Sequence, residues 1–167
     1  AVIRESMRVL PASSYSQRVA VEQTWLGPVR INPGTPIIFS QYITHHRPDL
    51  YAEPDHFHPE RWFTITPTAY EYLPFGAGPR MCIGASLAMA EIRTALTIML
   101  KRFNFQIEPM STVNGAVIST MLGPTSSMLS KLLPHDQLPK CVPVSGSIHN
   151  LIHLPDTARE ISIPVAA

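Results

Sequence analysis

Pro74-Phe75-Gly76-Ala77-Gly78-Pro79-Arg80-Met81-Cys82-Ile83-Gly84 is the stretch that decides the fold, and it reads as a loop built to hold one cysteine. Three glycines fall within nine residues, where a Cβ would obstruct either a positive-φ turn or close approach to a flat ligand. Two prolines stiffen what the glycines loosen. Behind the cysteine, Ala85 to Arg102 carries apolar residues at Ala88, Ile92, Ala95, Leu96 and Met99, continuing to Phe103, which is helical spacing with one apolar face. Cys82 is therefore expected just before a helix N-terminus, where unpaired backbone N–H groups and the positive end of the helix dipole favour a thiolate over a thiol.

A thiolate is either a nucleophile or a metal ligand, and two features favour the ligand. No second cysteine stands two residues away, and no His or acid adjoins Cys82 to serve as its base. Arg80, two residues before the sulfur, is a fixed cation suited to gripping a carboxylate on the same ligand.

Phe75-x-x-Gly78-x-Arg80-x-Cys82-x-Gly84 resembles the haem-binding loop of the cytochrome P-450 family, the haem-thiolate monooxygenases, at every fixed position of that motif. The resemblance implies that Cys82 is the axial ligand of haem iron, pushing electron density toward bound oxygen so that the O–O bond breaks. It makes Arg80 a partner for a haem propionate, with Phe75, Gly76, Gly78 and Gly84 forming the cofactor-binding loop. A buried cysteine in a glycine-rich turn would account for none of the flanking Phe, Arg and Gly.

The rest of the chain is ordered to suit. Ala1 to Leu10 has a helix-like pattern that Pro11 ends, and within it Glu5 and Arg8 share a face. With Pro59-Glu60-Arg61-Trp62 downstream, this resembles the family's Glu-x-x-Arg helix and its Pro-Glu-Arg-aromatic segment, which implies a buried structural network of Glu5, Arg8 and Arg61. By family position the turn Ser13, Ser14, Tyr15 and Ser16 lines the substrate pocket, and Arg18 holds a propionate. Val19 to Ser40 reads as a meander of short strands broken by Leu26-Gly27-Pro28 and Asn32-Pro33-Gly34. His45 and His46 fall at an expected helix start as turn and capping residues, since no second ligand pair stands at metal-binding spacing; His56 and His58 belong to another proline-rich bend. Trp62, Phe63, Tyr70 and Tyr72 are expected to pack beneath the cysteine loop. Phe103 to Ile107 alternates like a half-buried strand, and further strands are read at Val117 to Ile118, Val142 to Val144 and Ile161 to Val165.

Composition sets outer limits. The 167-residue chain carries a net charge of +1, which points to neither nucleic acid nor an anionic membrane as partner. Two distant cysteines make no disulfide framework, so a reducing compartment is allowed and Cys141 is a bystander. Seventeen prolines, roughly twice the usual ~5% share, imply much extended or turning backbone. No apolar run approaches the ~18 residues of a membrane span. The start, already inside a helix and without Met, reads as the cut edge of a longer protein.

The expected fold is α+β, mainly α, the C-terminal part of the cytochrome P-450 fold, with a haem-binding core over 1–109 and a β/irregular segment over 110–167. The implied protein takes electrons from a reductase or ferredoxin and oxygenates a small organic substrate. Met81, Arg93, Lys101 and Arg102 would lie where reductants dock in the family. Catalysis by this segment alone is not expected, because the long helix with the acid-threonine pair and the earlier helix gripping the other propionate are missing. Other readings are an inert or non-catalytic haem-binding fragment, a purely structural domain, and the peroxide-rearranging branch of the family, whose cysteine loops tend to be longer or altered. The expected location is intracellular: cytoplasmic, or membrane-associated through a preceding anchor.

Overall fold

The computed structural model describes residues 1–107, 115–118, 120–124 and 130–137. The chain forms two compact units, Ala1–Met89 with Ser119–Met121, and Ala90–Ile118 with Leu122–Ala167. The strand readings at 142–144 and 161–165, and Cys141, lie outside the described residues.

The first unit opens with helix α1, Val2–Val9, which carries Glu5 in its first turn and Arg8 in its last, each the charge that its end of the helix dipole favours. Leu10 leaves the helical region at φ −129° and ψ 73°, as a residue preceding proline does. Four short strands follow. Strand β1 (Ser16–Val19) pairs antiparallel with β4 (Pro36–Phe39), and β2 (Thr24–Leu26) pairs antiparallel with β3 (Val29–Ile31). Gly27, at φ +59°, supplies the left-handed residue that the β2–β3 turn requires. Val21, within the stretch read as a meander, lies outside the strands and is exposed.

Helix α2, Gln41–His45, begins on Ser40, whose Oγ accepts the Ile43 N–H at 3.1 Å. His45 and His46 therefore close a helix, where the sequence suggested that they open one. The capping signal belongs to Ser40, five residues before His45. A 3₁₀ turn over Pro59–Phe63 and another over Gly78–Arg80 lead to α3, Ala85–Arg102, whose bounds are those expected from the apolar spacing.

The centre of this unit is charged. Glu5 and Arg8 are completely buried and Arg61 is 6% exposed. Arg8 donates to the Glu5 carboxylate through Nε (3.0 Å) and Nη2 (2.9 Å), and Arg61 Nε donates at 3.1 Å. Trp62 Nε1–H and the His58 N–H each add a bond of 2.9 Å. Remaining guanidinium donors are met by main-chain carbonyls: Arg8 Nη1 reaches Pro54 at 2.7 Å, and Arg61 Nη1 reaches Ala52 at 2.6 Å. Of the four aromatics expected beneath the cysteine loop, Trp62 is buried and Tyr72 half-buried, their rings 4.7 Å apart. Phe63 and Tyr70 depart from that expectation, at 80% and 71% exposure. The run has no period that would set one face inward, so density alone misjudged them.

In the second unit β5 (Phe103–Ile107) pairs antiparallel with β8 (Ser130–Pro134), from Phe103 opposite Pro134 to Ile107 opposite Ser130. Strands β6 (Gly115–Ile118) and β7 (Met121–Pro124) pair with each other. Ile92, Leu96 and Met99 on α3 remain solvent-accessible.

The charged centre makes a direct prediction. Glu5→Ala strands two buried guanidinium groups and should cost about 3–5 kcal/mol, read as a lowered denaturant midpoint. A variant as stable as the parent would contradict the description of Glu5 as the organising charge.

Candidate functional site

The cysteine loop is closed by its own backbone. Gly76 N–H donates to the Leu73 carbonyl at 3.0 Å, Met81 N–H to Gly78 at 3.0 Å, and Cys82 N–H to Phe75 at 2.8 Å. Gly76 and Gly78 hold φ of +72° and +68°, the left-handed region that costs any L side chain energy. A Cβ built on either meets no atom within 4 Å, so open space adjoins the backbone there. Gly84 differs: its backbone is not left-handed, and a Cβ would stand 3.8 Å from Cys82 Sγ, an ordinary contact. Cys82 itself is a free, exposed thiol residue. The Ala88 N–H bond to the Gly84 carbonyl, 2.9 Å, then starts the regular ladder of α3.

One face of the loop walls a cleft of about 530 Å³, to which it contributes Gly76, Ala77, Pro79 and Arg80. Opposite residues come from β1, β4 and α2, including Ser16, Arg18, Phe39 and Gln41. Two arginines distant in sequence, Arg18 and Arg80, thus share one concavity with a glycine-rich wall. Paired guanidinium groups at a cleft suit carboxylates, which they bind by charge-assisted bonds.

The serine-rich turn divides in its roles. Ser16 lines the cleft, its Oγ 2.6 Å from Gln41 Nε2. Ser14, expected to face the pocket, is instead buried; its Oγ donates to the Thr120 carbonyl at 3.4 Å, and its own carbonyl accepts from the Tyr42 N–H at 3.1 Å. Ser13 Oγ bonds the Tyr15 carbonyl at 3.1 Å, while its backbone bridges Met121. Both partners, Thr120 and Met121, lie far along the chain, beyond the reach of any local spacing.

Reading the sequence also missed Gln41, Phe39 and above all His45. Recognition of Ser40 as a cap would have put Gln41 and His45 four apart on one face of α2, where both are in fact buried. His45 Nε2 accepts the Leu73 N–H at 2.7 Å and Nδ1 lies 3.2 Å from the Arg8 carbonyl. His56 and His58 are exposed and lie 3.8 and 3.6 Å from Glu53 and Glu60. Among the described residues no group of three metal-ligating side chains exists. None of the described helices is long and apolar enough to cross a membrane.

The family model for cytochrome P-450 matches residues 1–129. Cytochrome P-450 monooxygenase pvhE of Talaromyces variabilis is 35% identical over 131 residues, covering 69% of this chain and 24% of that protein. Cytochrome P-450 3A29 of Sus scrofa is 33% identical over 146 residues, covering 81% and 28%. Among solved structures, a retinoic-acid-bound cyanobacterial CYP120A1 aligns with a TM-score of 0.72 at 25% identity, over 80% of this chain and 32% of that one. A zebrafish cytochrome P-450 solved with progesterone aligns at 0.69 and 31%, over 80% and 30%. The chain belongs to the cytochrome P-450 family, and its fold is part of the cytochrome P-450 fold. Haem held by a cysteine thiolate is the cofactor of that family. The chain spans about a quarter of the length of the curated relatives it matches. The residues present fit haem: an exposed cysteine, open space over two left-handed glycines, and a pair of arginines on one cleft.

Among the groups of the buried cluster, His45 and Glu5 both titrate below their ordinary values. Desolvation lowers His45 from the ordinary 6.5 to about 4, with the charges of Arg8 and His46 adding to it and the Arg8 backbone bond opposing. Burial alone would raise Glu5, but bonds from Arg8 and the His58 N–H, with the charges of Arg8 and Arg61, outweigh it and lower its pKa. An unfolded histidine takes up a proton that the folded one refuses, so stability present above pH 6.5 is lost as pH falls toward 4. That loss should reach about 3 kcal/mol at the acid end of the window. Glu5 adds to it at lower pH still. Denaturation midpoints measured across this range should fall in the parent and much less in His45→Phe; parallel curves would contradict a neutral buried imidazole.

Proposed function

We propose that this chain supplies the haem-thiolate site of a monooxygenase that takes electrons from a redox partner and oxygenates a small organic substrate, with Cys82 as the iron ligand. The observation that carries this reading is the convergence of Arg18 and Arg80 on one cleft walled by the cysteine loop. When bound, thiolate-ligated haem supplies the activation of dioxygen. The polypeptide's share is to hold and orient it. Arg18 and Arg80 neutralise and fix the propionates through charge-assisted bonds, which are about twice as strong as neutral ones. Gly76 and Gly78 leave room for the backbone to lie close to the porphyrin face. Cys82 is presented by a loop that three internal backbone bonds close on itself. Phe75 contributes its carbonyl, which accepts the Cys82 N–H.

The substrate side rests on less of this chain. Ser16 and Gln41 give the cleft a polar margin, while Phe39 adds an apolar one, which supports a mixed-polarity organic substrate beside the cofactor. The cysteine loop has the common length, which favours monooxygenation over peroxide rearrangement.

Haem loading followed by the reduced carbon monoxide spectrum tests this reading in the protein that carries the chain. A thiolate-type band should appear in the parent and vanish in Cys82→Ala. Arg18→Gln combined with Arg80→Gln should keep the band type but weaken haem retention about tenfold or more, since each lost bond to a charged group is worth about 1.5–3 kcal/mol. A thiolate-type band that survives Cys82→Ala would overturn the assignment.

A further inference from the structure

His45 is a buried titratable group that the haem site does not account for, and its bonds specify a role. The Arg8 carbonyl, 3.2 Å from Nδ1, can only accept, and the Leu73 N–H, 2.7 Å from Nε2, can only donate. The partners therefore fix the tautomer: the ring is neutral, with its proton on Nδ1. Its own main-chain carbonyl accepts from Arg8 Nη1 at 2.8 Å, so Arg8 holds this residue from both ends. The ring is completely buried, stacked on Tyr72 at 5.5 Å and edge-on to Tyr51 at 6.5 Å, which leaves no room for water to replace a lost bond. Leu73 is the residue before the cysteine loop, and its carbonyl accepts the Gly76 N–H that begins the loop's first turn.

We propose that His45 is a positioning residue for the cysteine loop: its neutral imidazole hangs the loop's leading amide on the backbone of α1, so that the buried Glu5, Arg8 and Arg61 charges fix where Cys82 lies. A lysine or arginine in its place offers donors alone and cannot receive the Leu73 N–H. A phenylalanine keeps the stacking and approximate volume but receives nothing. A glutamine retains an acceptor at the reach of Nε2. The effect on haem ligation rests on the reading of Cys82 as iron ligand; the effect on the loop does not.

The test compares the haem-loaded parent with His45→Phe and His45→Gln by amide hydrogen exchange and by the carbon monoxide spectrum. In His45→Phe, exchange at Leu73 and Gly76 should quicken by about tenfold or more, the loss expected for one buried bond, while Leu10 at the end of α1 keeps parental protection. The thiolate-type band should shrink in proportion, and His45→Gln should restore both. Unchanged exchange at Leu73 in His45→Phe overturns the proposal, and so does a loss of protection spread equally over α1 and the loop, which marks a general stabilising residue. Should His45→Phe fail to fold, His45→Gln decides alone: protection kept at Leu73 supports the role, and protection lost equally along α1 and the loop overturns it. A parent without a thiolate-type band would instead refute the Cys82 assignment, and exchange at Leu73 would still judge His45.

Discussion

A carboxylate cut off from water must find its counter-charge and its hydrogen bonds inside the protein, or neutralise. Glu5 finds five donors, from Arg8 twice, Arg61, Trp62 and the backbone of His58. The arginines so engaged spend their other donors on carbonyls of residues 45 to 56. That segment contains only one short helix end and otherwise irregular backbone, whose carbonyls at His45, Ala52, Pro54 and His56 take guanidinium donors where no helix or sheet ladder serves them. The charge cluster therefore acts in place of a hydrophobic core. It specifies a path for chain that neither helix nor sheet specifies.

From that cluster, order passes to the cysteine loop through few contacts. Tyr51 donates from its hydroxyl to the Glu71 carbonyl at 2.8 Å, and Tyr72 donates to the Arg4 carbonyl at 3.1 Å. Arg4 lies over the Trp62 ring at 4.8 Å, within cation–π range. Together with His45 on Leu73, these bonds pin the chain on the approach to Pro74 from both α1 and the segment after α2. Within the loop, the glycines and the internal backbone bonds take over. The division is physically sensible: a rigid approach, then a loop whose open side is left for the cofactor.

Local chemistry made the loop and α3 legible. A cysteine among glycines, prolines and an arginine is readable because each residue type has its own backbone or charge requirement, and the apolar spacing of α3 repeats long enough to set both ends. The pairing of Glu5 with Arg8 was legible as a spacing, and Arg61 only through the family pattern. Features made by contacts remote in sequence were not legible. His45 looked like a turn residue because its partners stand 37 and 28 residues away. Ser14 looked like pocket lining because its partner, Thr120, is 106 residues away. Phe63 and Tyr70 were misjudged because an irregular segment has no period from which to read an inner face. The Ser40 cap, by contrast, was present in the sequence and overlooked.

The central claim is that a buried charge network holds a loop whose single cysteine sulfur binds iron. X-ray absorption at the iron edge of the haem-loaded protein tests it most directly. The account predicts a first shell of porphyrin nitrogens with one sulfur, and loss of that sulfur on Cys82→Ser. A first shell of nitrogen alone in the parent, or a sulfur that persists in the variant, would contradict it.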